Sequence, residues 1–183
     1  MNSNSGGAAA SGGIDFQQRV AAYFMIQMLF DLKSLVPIGV EGEYEFLEIS
    51  FETASSIDDI EVITKSLTLY IQAKRSINLS SSKTSEFVKV IRQFVNQYIN
   101  SKGKKDKYLL VTTSDASAKI KKEVKKILES VRLNDTGFEN NPLNKSEKET
   151  YEKIRQSVFL AYSESSGKTL SENDLGAALL QHA

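Results

Sequence analysis

The sequence has no cysteine, and His182 is its single histidine among 183 residues. Without cysteine the chain has no disulfides, no thiolate zinc sites and no cysteine nucleophile. One histidine gives little basis for serine–histidine catalysis. Any catalysis is therefore expected to use carboxylates, lysines or a metal ion held by oxygen ligands.

Long hydrophobic runs are also missing. The longest one, VAAYFMIQMLF, is interrupted by Gln27 and is too short to span a bilayer. The first residues lack the basic stretch and apolar core of a signal peptide. Hydrophobic residues make up 40% of the chain and charged residues 25%, as in average globular proteins. We therefore expect a folded cytoplasmic protein with no membrane segment.

The net charge of zero conceals an uneven distribution. Residues 1–64 hold ten acidic and two basic side chains. Residues 65–126 hold four acidic and fifteen basic side chains, and residues 127–183 hold nine acidic and six basic side chains. A basic centre beside an acidic strip suits phosphate backbones and divalent cations, respectively. Lysines on solvent-exposed helix faces without any binding role would give the same distribution of charge.

The first third of the chain contains a predicted helix and strand. Residues 1–13 are Gly, Ala, Ser and Asn without periodicity, which predicts a flexible tail outside the fold. A helix is expected from Ile14 until before Pro37. Its buried stripe would be Ala21, Phe24, Met25, Met28, Leu29 and Leu32. A strand over residues 44–52 would bury Leu47, Ile49 and Phe51.

The remainder predicts an α/β fold, with a mixed central sheet of about four strands flanked by helices. A hairpin, DDIEVIT and LTLYIQAK, is followed by a helix, the strand KYLLVTT and another helix after Ser117. We expect one domain over residues 14–134 and a helical extension over residues 135–183. The extension would open with a capping pair, Ser146 and Glu149, and have a last helix from Ser171. It is either the start of a further region or a short terminal segment.

The hairpin carries the residues of chemical interest. A turn at Lys65-Ser66 makes the numbers of facing residues sum to 131, so Asp59 lies opposite Gln72. Alternation then places Ile60, Val62, Leu67, Leu69, Ile71 and Ala73 on one face, and Asp59, Glu61, Tyr70, Gln72 and Lys74 on the other. A slip of one residue would select Asp58 instead of Asp59.

An acid, an amide and a lysine at one point suit phosphodiester hydrolysis. Mg²⁺ requires hard oxygen ligands, which the Asp59 carboxylate, the Gln72 side-chain carbonyl and the main-chain carbonyl of Ala73 can provide. Lys74 would orient or activate the attacking water and stabilise the charge that develops on phosphorus.

The pattern D-x12-Q-x-K, with YIQAKR closing an apolar strand, resembles the PD-(D/E)XK nuclease superfamily in its Mrr-like QxK form. The segments GIDFQQRVAAYFMIQML, ISFETASSIDDIEV and SEFVKVIRQF extend the resemblance, to the dsDNA nuclease domain of bacterial anti-phage effectors. It covers roughly Gly13 to Thr113. It implies a restriction-endonuclease-like fold and Mg²⁺-dependent cleavage of double-stranded DNA, with Mn²⁺ able to substitute.

The resemblance also implies site residues and partners. Asp59, Gln72 and Lys74 stand at the catalytic positions, and Glu52 best matches a second, upstream metal-ligating acid. Gln17 and Gln18 stand where related nucleases can carry a glutamate on the first helix. A regulatory NTPase or nucleotide sensor, as a further region or partner, and a homo-oligomeric state are expected.

The basic residues are candidates for DNA contacts that do not read bases. The expected set is Arg75, Lys102, Lys104, Lys105 and Lys107. The lysines within residues 119–126 either join them or form a solvated helix face. Two other functions stay open: a nuclease-like domain that binds DNA or a partner without cleavage, and an adaptor or oligomerisation module with no metal or DNA affinity.

Overall fold

The computed structural model describes residues 5–32, 42–101, 106–133 and 138–169. These form two compact units, which are described separately. The first contains residues 5–32, 42–75 and 106–113, and the second contains residues 76–101, 114–133 and 138–169. This division differs from the predicted boundary after residue 134.

The first unit is built on a four-stranded mixed sheet. Its strands are β1 (Phe46–Phe51), β2 (Ile60–Thr64), β3 (Thr68–Lys74) and β4 (Asp106–Thr112), in the order β1-β2-β3-β4. The first three strands are antiparallel, whereas β4 is parallel to β3. The predicted α/β class with about four strands is confirmed in this coarse form.

Helix α1 (Ser5–Leu29) begins before the predicted start at Ile14, within the segment expected to be a tail. Alanines favour helix, and a nucleated helix can extend through glycine at a cost of about 1 kcal/mol each. The helix ends early because Asp31 adopts a left-handed conformation with φ 50°. The region before Pro37 lies outside the described residues. No helix in the described ranges has the length and apolar content to cross a bilayer.

Helix α1 covers the apolar face of the hairpin, as predicted. The shared core contains Val20, Ala21, Phe24, Ile60, Val62, Leu69, Ile71 and Ala73. The prediction of a buried stripe is wrong for its second half, because four of its side chains are exposed: Met25, Met28, Leu29 and Leu32. Among the α1 side chains that the structure describes, those in the core contact with the sheet run from Phe16 to Phe24.

Strand β1 departs from simple alternation. Its pairing with β2 shifts between Phe46 and Glu48, which leaves Leu47 as an extra residue. Phe46 and Ile49 consequently pack against the core, while Leu47 and Phe51 are exposed. The prediction that Leu47 and Phe51 are buried was wrong.

The second unit is helical. It contains α2 (Glu86–Ser101), a π-helical segment (Lys119–Val124) that continues into α3 (Lys125–Arg132), and α4 (Lys145–Ser166). Helix α4, which lies in the helical extension expected over residues 135–183, packs against α2 and the π-helical segment. Its capping box is formed by Asn144 and Glu147 instead of Ser146 and Glu149. The predicted helix from Ser171 lies outside the described residues.

Candidate active site

The hairpin has the predicted register. Ile60 pairs with Ile71 and Glu61 with Tyr70, so facing residue numbers sum to 131. The turn is fixed by Thr64, whose hydroxyl oxygen accepts hydrogen bonds from the backbone of Ser66 and Leu67. Asp59, directly before β2, therefore faces the end of β3.

Asp59 is held in place by the connection before β2. Ile57 is completely buried, and its carbonyl accepts a hydrogen bond from the Ser55 hydroxyl. The Asp59 carbonyl accepts hydrogen bonds from the backbone N–H of Glu52 at 3.3 Å and from the Gln17 side chain at 2.9 Å. Both strand pairing and α1 therefore position the Asp59 backbone.

The structure brings Asp59, Gln72 and Lys74 together. Oδ2 of Asp59 accepts hydrogen bonds from Gln72 Nε2 at 2.5 Å and from the backbone N–H of Ala73 at 2.7 Å. Lys74 Nζ lies 3.7 Å from the same oxygen. The convergence expected from the register is thus present, and all three contacts use a single carboxylate oxygen.

Gln72 is fully buried, and its Oε1 has no hydrogen-bond partner. Its Nε2 is directed to Asp59 because a carboxylate only accepts hydrogen bonds. A buried acceptor without a partner costs about 1–3 kcal/mol, so Oε1 is suited to a cation or donor from outside the chain. Asp59 and Gln72 together offer a charged and a neutral oxygen ligand.

Burial raises the pKa of the Asp59 carboxyl, against the opposing effects of the Ala73 N–H and the Lys74 ammonium. Desolvation disfavours the charged form, and the neighbouring Asp58 adds to this effect. A cation requires the ionised carboxylate, so its binding is expected to weaken as the pH falls through this raised pKa.

Lys74 is the last residue of β3, and its side chain contacts Asp59 while remaining partly exposed to solvent. Its side chain is 30% exposed, whereas that of Asp59 is 16% exposed. The parallel partner of Lys74 is Thr112, the last residue of β4. A phosphate approaching this end of the sheet can therefore reach the ammonium group without displacing the core.

A second polar cluster lies on the same hairpin face. Glu61 accepts a hydrogen bond from Tyr70, and burial raises the pKa of both side chains. Thr53 also hydrogen-bonds Glu61, which opposes the rise in its pKa. These contacts fix the polar face beside Asp59 without adding a ligand to it.

Glu52 reaches the site through its main chain only. Its φ of 44° is left-handed, and its side chain is exposed. In the part of the chain that the structure describes, no three His, Cys, Asp or Glu residues are grouped to hold a metal. The structure thus does not bring the Glu52 carboxylate into the cluster, which has one acid, Asp59.

The variant Glu52→Gly distinguishes a role of the left-handed backbone at this position from a role of the Glu52 carboxylate as a metal ligand. We expect the variant to retain any metal-dependent activity and to raise the free energy of unfolding by up to about 1 kcal/mol, because glycine adopts positive φ without strain. Thermal unfolding and plasmid cleavage, with native protein in parallel, test this. A variant that is stable but inactive would make Glu52 a metal ligand after all.

Gln17 is a site residue that our sequence interpretation missed. We noted Gln17 only as a position where related nucleases can carry a glutamate. In the structure its side-chain amide donates a hydrogen bond to the Asp59 carbonyl. Its spacing from Ala21 and Phe24 places it on the core side of α1, and that spacing was visible in the sequence.

Gln17→Ala removes this link while retaining a good helix former. We expect the free energy of unfolding to fall by about 1 kcal/mol and cleavage to slow, because Asp59 loses one of its backbone anchors. Gln18→Ala, at an exposed neighbour, is the matched control. Equal behaviour of the two variants in cleavage and denaturant unfolding would show that Gln17 does not position Asp59.

The predicted DNA contacts are only partly described. Arg75 is exposed directly after Lys74. Lys107 pairs with Leu69, and alternation places it on the α1 face, opposite to Lys74. The structure therefore does not join Lys107 to the cluster, and Lys102, Lys104 and Lys105 lie outside the described residues.

Three lysines within residues 119–126 are engaged by other groups of the second unit. Lys126 forms an ion pair with Glu147, and Lys121 donates a hydrogen bond to the Ser114 carbonyl. Lys125 pairs with Glu129. These contacts favour the solvated-face interpretation of residues 119–126 over a dedicated phosphate surface.

The arrangement can place a cation beside Asp59 and Gln72, with an ammonium group nearby. Its support is the D-x12-Q-x-K pattern together with the hairpin register and side-chain contacts. No family model, no curated protein and no solved structure matches the chain.

Proposed function

We propose that the chain is a metal-dependent endonuclease that hydrolyses phosphodiester bonds of double-stranded DNA. The observation that carries this proposal is the buried, unpartnered Oε1 of Gln72 beside the Asp59–Lys74 pair. Double-stranded DNA as substrate, a restriction-endonuclease-like fold and a role in bacterial defence against phage are proposed from the sequence resemblance alone.

The donor set fits Mg²⁺. The Asp59 carboxylate and Gln72 Oε1 would hold it, with the main-chain carbonyl of Ala73 as a further oxygen ligand. Bound Mg²⁺ would act as a Lewis acid toward phosphate. One carboxylate is a weak site for this ion, which commonly completes its ligands with substrate phosphates and water, so we expect tight binding only with DNA. Mn²⁺ is expected to substitute.

The chain's own residues orient the reactants. Lys74 provides a cation close to the Asp59 carboxylate, where it can hold a phosphate oxygen or the attacking water. The Ala73 N–H holds the Asp59 carboxylate in one orientation, and Gln17 anchors its backbone. This rigidity reduces the reorganisation that the reaction requires.

A second candidate function is a DNA-binding or partner-binding module without cleavage. The observation that favours it is the engagement of the single carboxylate, because Oδ2 of Asp59 already contacts Gln72, Ala73 and Lys74. In that case the three residues form an internal polar network that stabilises the hairpin end.

Plasmid cleavage by the native protein, together with any region or partner that accompanies it, tests the proposal. We expect supercoiled DNA to be nicked and linearised with Mg²⁺ or Mn²⁺, and to remain intact with a chelator. Ca²⁺ is the matched ionic control, because its larger radius suits binding more than catalysis.

DNA binding by the native protein is measured alongside DNA cleavage. Salt-dependent DNA binding without cleavage, in both Mg²⁺ and Mn²⁺, would reject the nuclease and support the binding module. Neither binding nor cleavage by the native assembly would leave only the adaptor function.

A further inference from the structure

The end of β4 lies beside the Lys74 end of β3. The two strands are parallel, and their last pair is Lys74 with Thr112. Paired residues of neighbouring strands project to the same face of a sheet, so the half-buried Thr112 side chain shares the face of Gln72 and Lys74. Because β2 and β4 lie on opposite sides of β3, this hydroxyl group borders the candidate active site on the side away from Asp59.

Two consecutive threonines at the end of β4 use their hydroxyl groups differently. The Thr113 hydroxyl donates a hydrogen bond to the Arg75 carbonyl at 2.7 Å, and the Thr113 backbone N–H donates to the same carbonyl at 3.4 Å. Thr113 therefore holds the end of β4 against the end of β3. Among the residues that the structure describes, none forms a hydrogen bond with the Thr112 hydroxyl. This group can both donate to and accept from a ligand.

The basic residue that follows Lys74 lies on the other face of the sheet. Alternation directs the Arg75 side chain towards α1. It lies against the helix there, because a Cβ atom added to Gly12 would be 2.9 Å from Nη1 of Arg75. Thr112, and not Arg75, is therefore the neighbour of Lys74 on the face of the candidate active site.

We propose that the Thr112 hydroxyl binds a DNA phosphate next to the one that reacts, and that it thereby sets the course of the cleaved strand. Neighbouring strands are about 4.8 Å apart, so Thr112 on β4 lies roughly 10 Å across the sheet from Asp59, directly before β2. This distance places Thr112 beyond the reacting phosphate at Asp59 and Gln72. The DNA backbone crosses the sheet from β2 to β4, with Lys74 between the two phosphates. This inference rests on the proposed nuclease function.

A neutral hydroxyl group at this place affects DNA binding in a characteristic way. It strengthens binding to DNA of any sequence, because phosphate contacts carry no base information. It displaces no cation from DNA, since the dependence of affinity on salt comes from lysine and arginine. Loss of the Thr112 hydroxyl is therefore expected to weaken binding equally at low and high salt, whereas Lys74→Ala also reduces the dependence on salt.

Thr112→Val tests the proposal, because valine keeps the shape of threonine and suits a strand. We expect about a tenfold rise in the KM of plasmid nicking and in the DNA dissociation constant measured with Ca²⁺, and a kcat within about threefold of native. Thr112→Ser keeps a hydroxyl group and is expected to recover most of the loss. Thr68→Val, on the same face at the other end of β3, is the matched control and is expected to behave as the native protein.

Thermal unfolding separates ligand binding from a structural role. Thr112→Val is expected to unfold at the native temperature, whereas Thr113→Val loses the hydrogen bond to the Arg75 carbonyl and is expected to unfold at a lower one. Unchanged DNA affinity in Thr112→Val, or no recovery in Thr112→Ser, would overturn the proposal.

DNA binding with Ca²⁺ also distinguishes this proposal from the nuclease itself. A native protein that binds DNA but never cleaves it would reject the nuclease alone, and the affinities of the same variants would still decide whether Thr112 contacts phosphate. A native protein that binds no DNA would reject both.

Discussion

Lys74→Ala and Asp59→Asn are each expected to reduce DNA cleavage at least about a hundredfold, without loss of the fold. Lys74→Ala removes the ammonium group 3.7 Å from the Asp59 carboxylate, and Asp59→Asn removes the only carboxylate of the cluster. Initial rates of plasmid nicking under Mg²⁺, with circular dichroism as a check of folding, measure the effect.

Asp58→Asn is the matched control for this experiment. It neutralises the adjacent, exposed acid and is expected to retain cleavage, because the observed register places Asp59 opposite Gln72. Loss of activity in Asp58→Asn with retention in Asp59→Asn would show that the functional register is shifted by one residue.

Stability provides an independent measurement on Asp59. The pKa of its carboxyl is raised in the folded state, so ionisation opposes folding at pH values above that pKa and ceases to do so as the pH falls below the unfolded value. Asp59→Asn is therefore expected to unfold at an equal or higher temperature than the native protein at neutral pH. A clear loss of stability would mean that the ionised carboxylate supports the fold.

Gln72→Glu is expected to make stability strongly dependent on divalent metal. The new carboxylate would lie at a fully buried position whose side chain contacts Asp59 Oδ2. Two such charges disfavour the folded state by about 2 kcal/mol or more without metal, and increasingly so as the pH rises. A bound cation would reverse the repulsion, so Mn²⁺ should raise the unfolding temperature far more than in the native protein.

Gln72→Leu is the control of similar size. It removes the unpartnered Oε1 together with the amide, so we expect neither a metal-dependent thermal shift nor cleavage. Thermal unfolding of both variants with Mn²⁺ and with a chelator distinguishes the outcomes. If Gln72→Glu shows no greater response to Mn²⁺ than Gln72→Leu, position 72 is not a metal-ligating position.

The hairpin was predictable because its determinants are local. A turn at Lys65-Ser66 and alternating side chains were sufficient to place Asp59 opposite Gln72, and the structure has that register, with the Gln72 side chain hydrogen-bonded to Asp59. Burial of the hairpin's apolar face beneath α1 was predictable for the same reason. The contact of Gln17 with Asp59 joins residues that are distant in sequence, and no local rule selected it.

Other features depended on tertiary context. The helical pattern continued past Phe24, but it could not reveal that the core contact ends there and that Met25 and Met28 would be exposed. The irregular pairing at Leu47 turned that residue outward and placed Phe46 against the core, whereas Ile49 has the predicted inward side. The packing of α4 against α2 was not predicted, because composition does not show which helices pack together.

The parallel pairing of β3 with β4 has a consequence for the order of folding. The β2–β3 hairpin joins near neighbours, whereas β3 meets β4 only after residues 75–105 have been synthesised. Contacts between distant segments form more slowly than local ones. On the ribosome, Asp59 and Gln72 can therefore meet while β3 is still an open edge strand, and Lys74 acquires its neighbour Thr112 last.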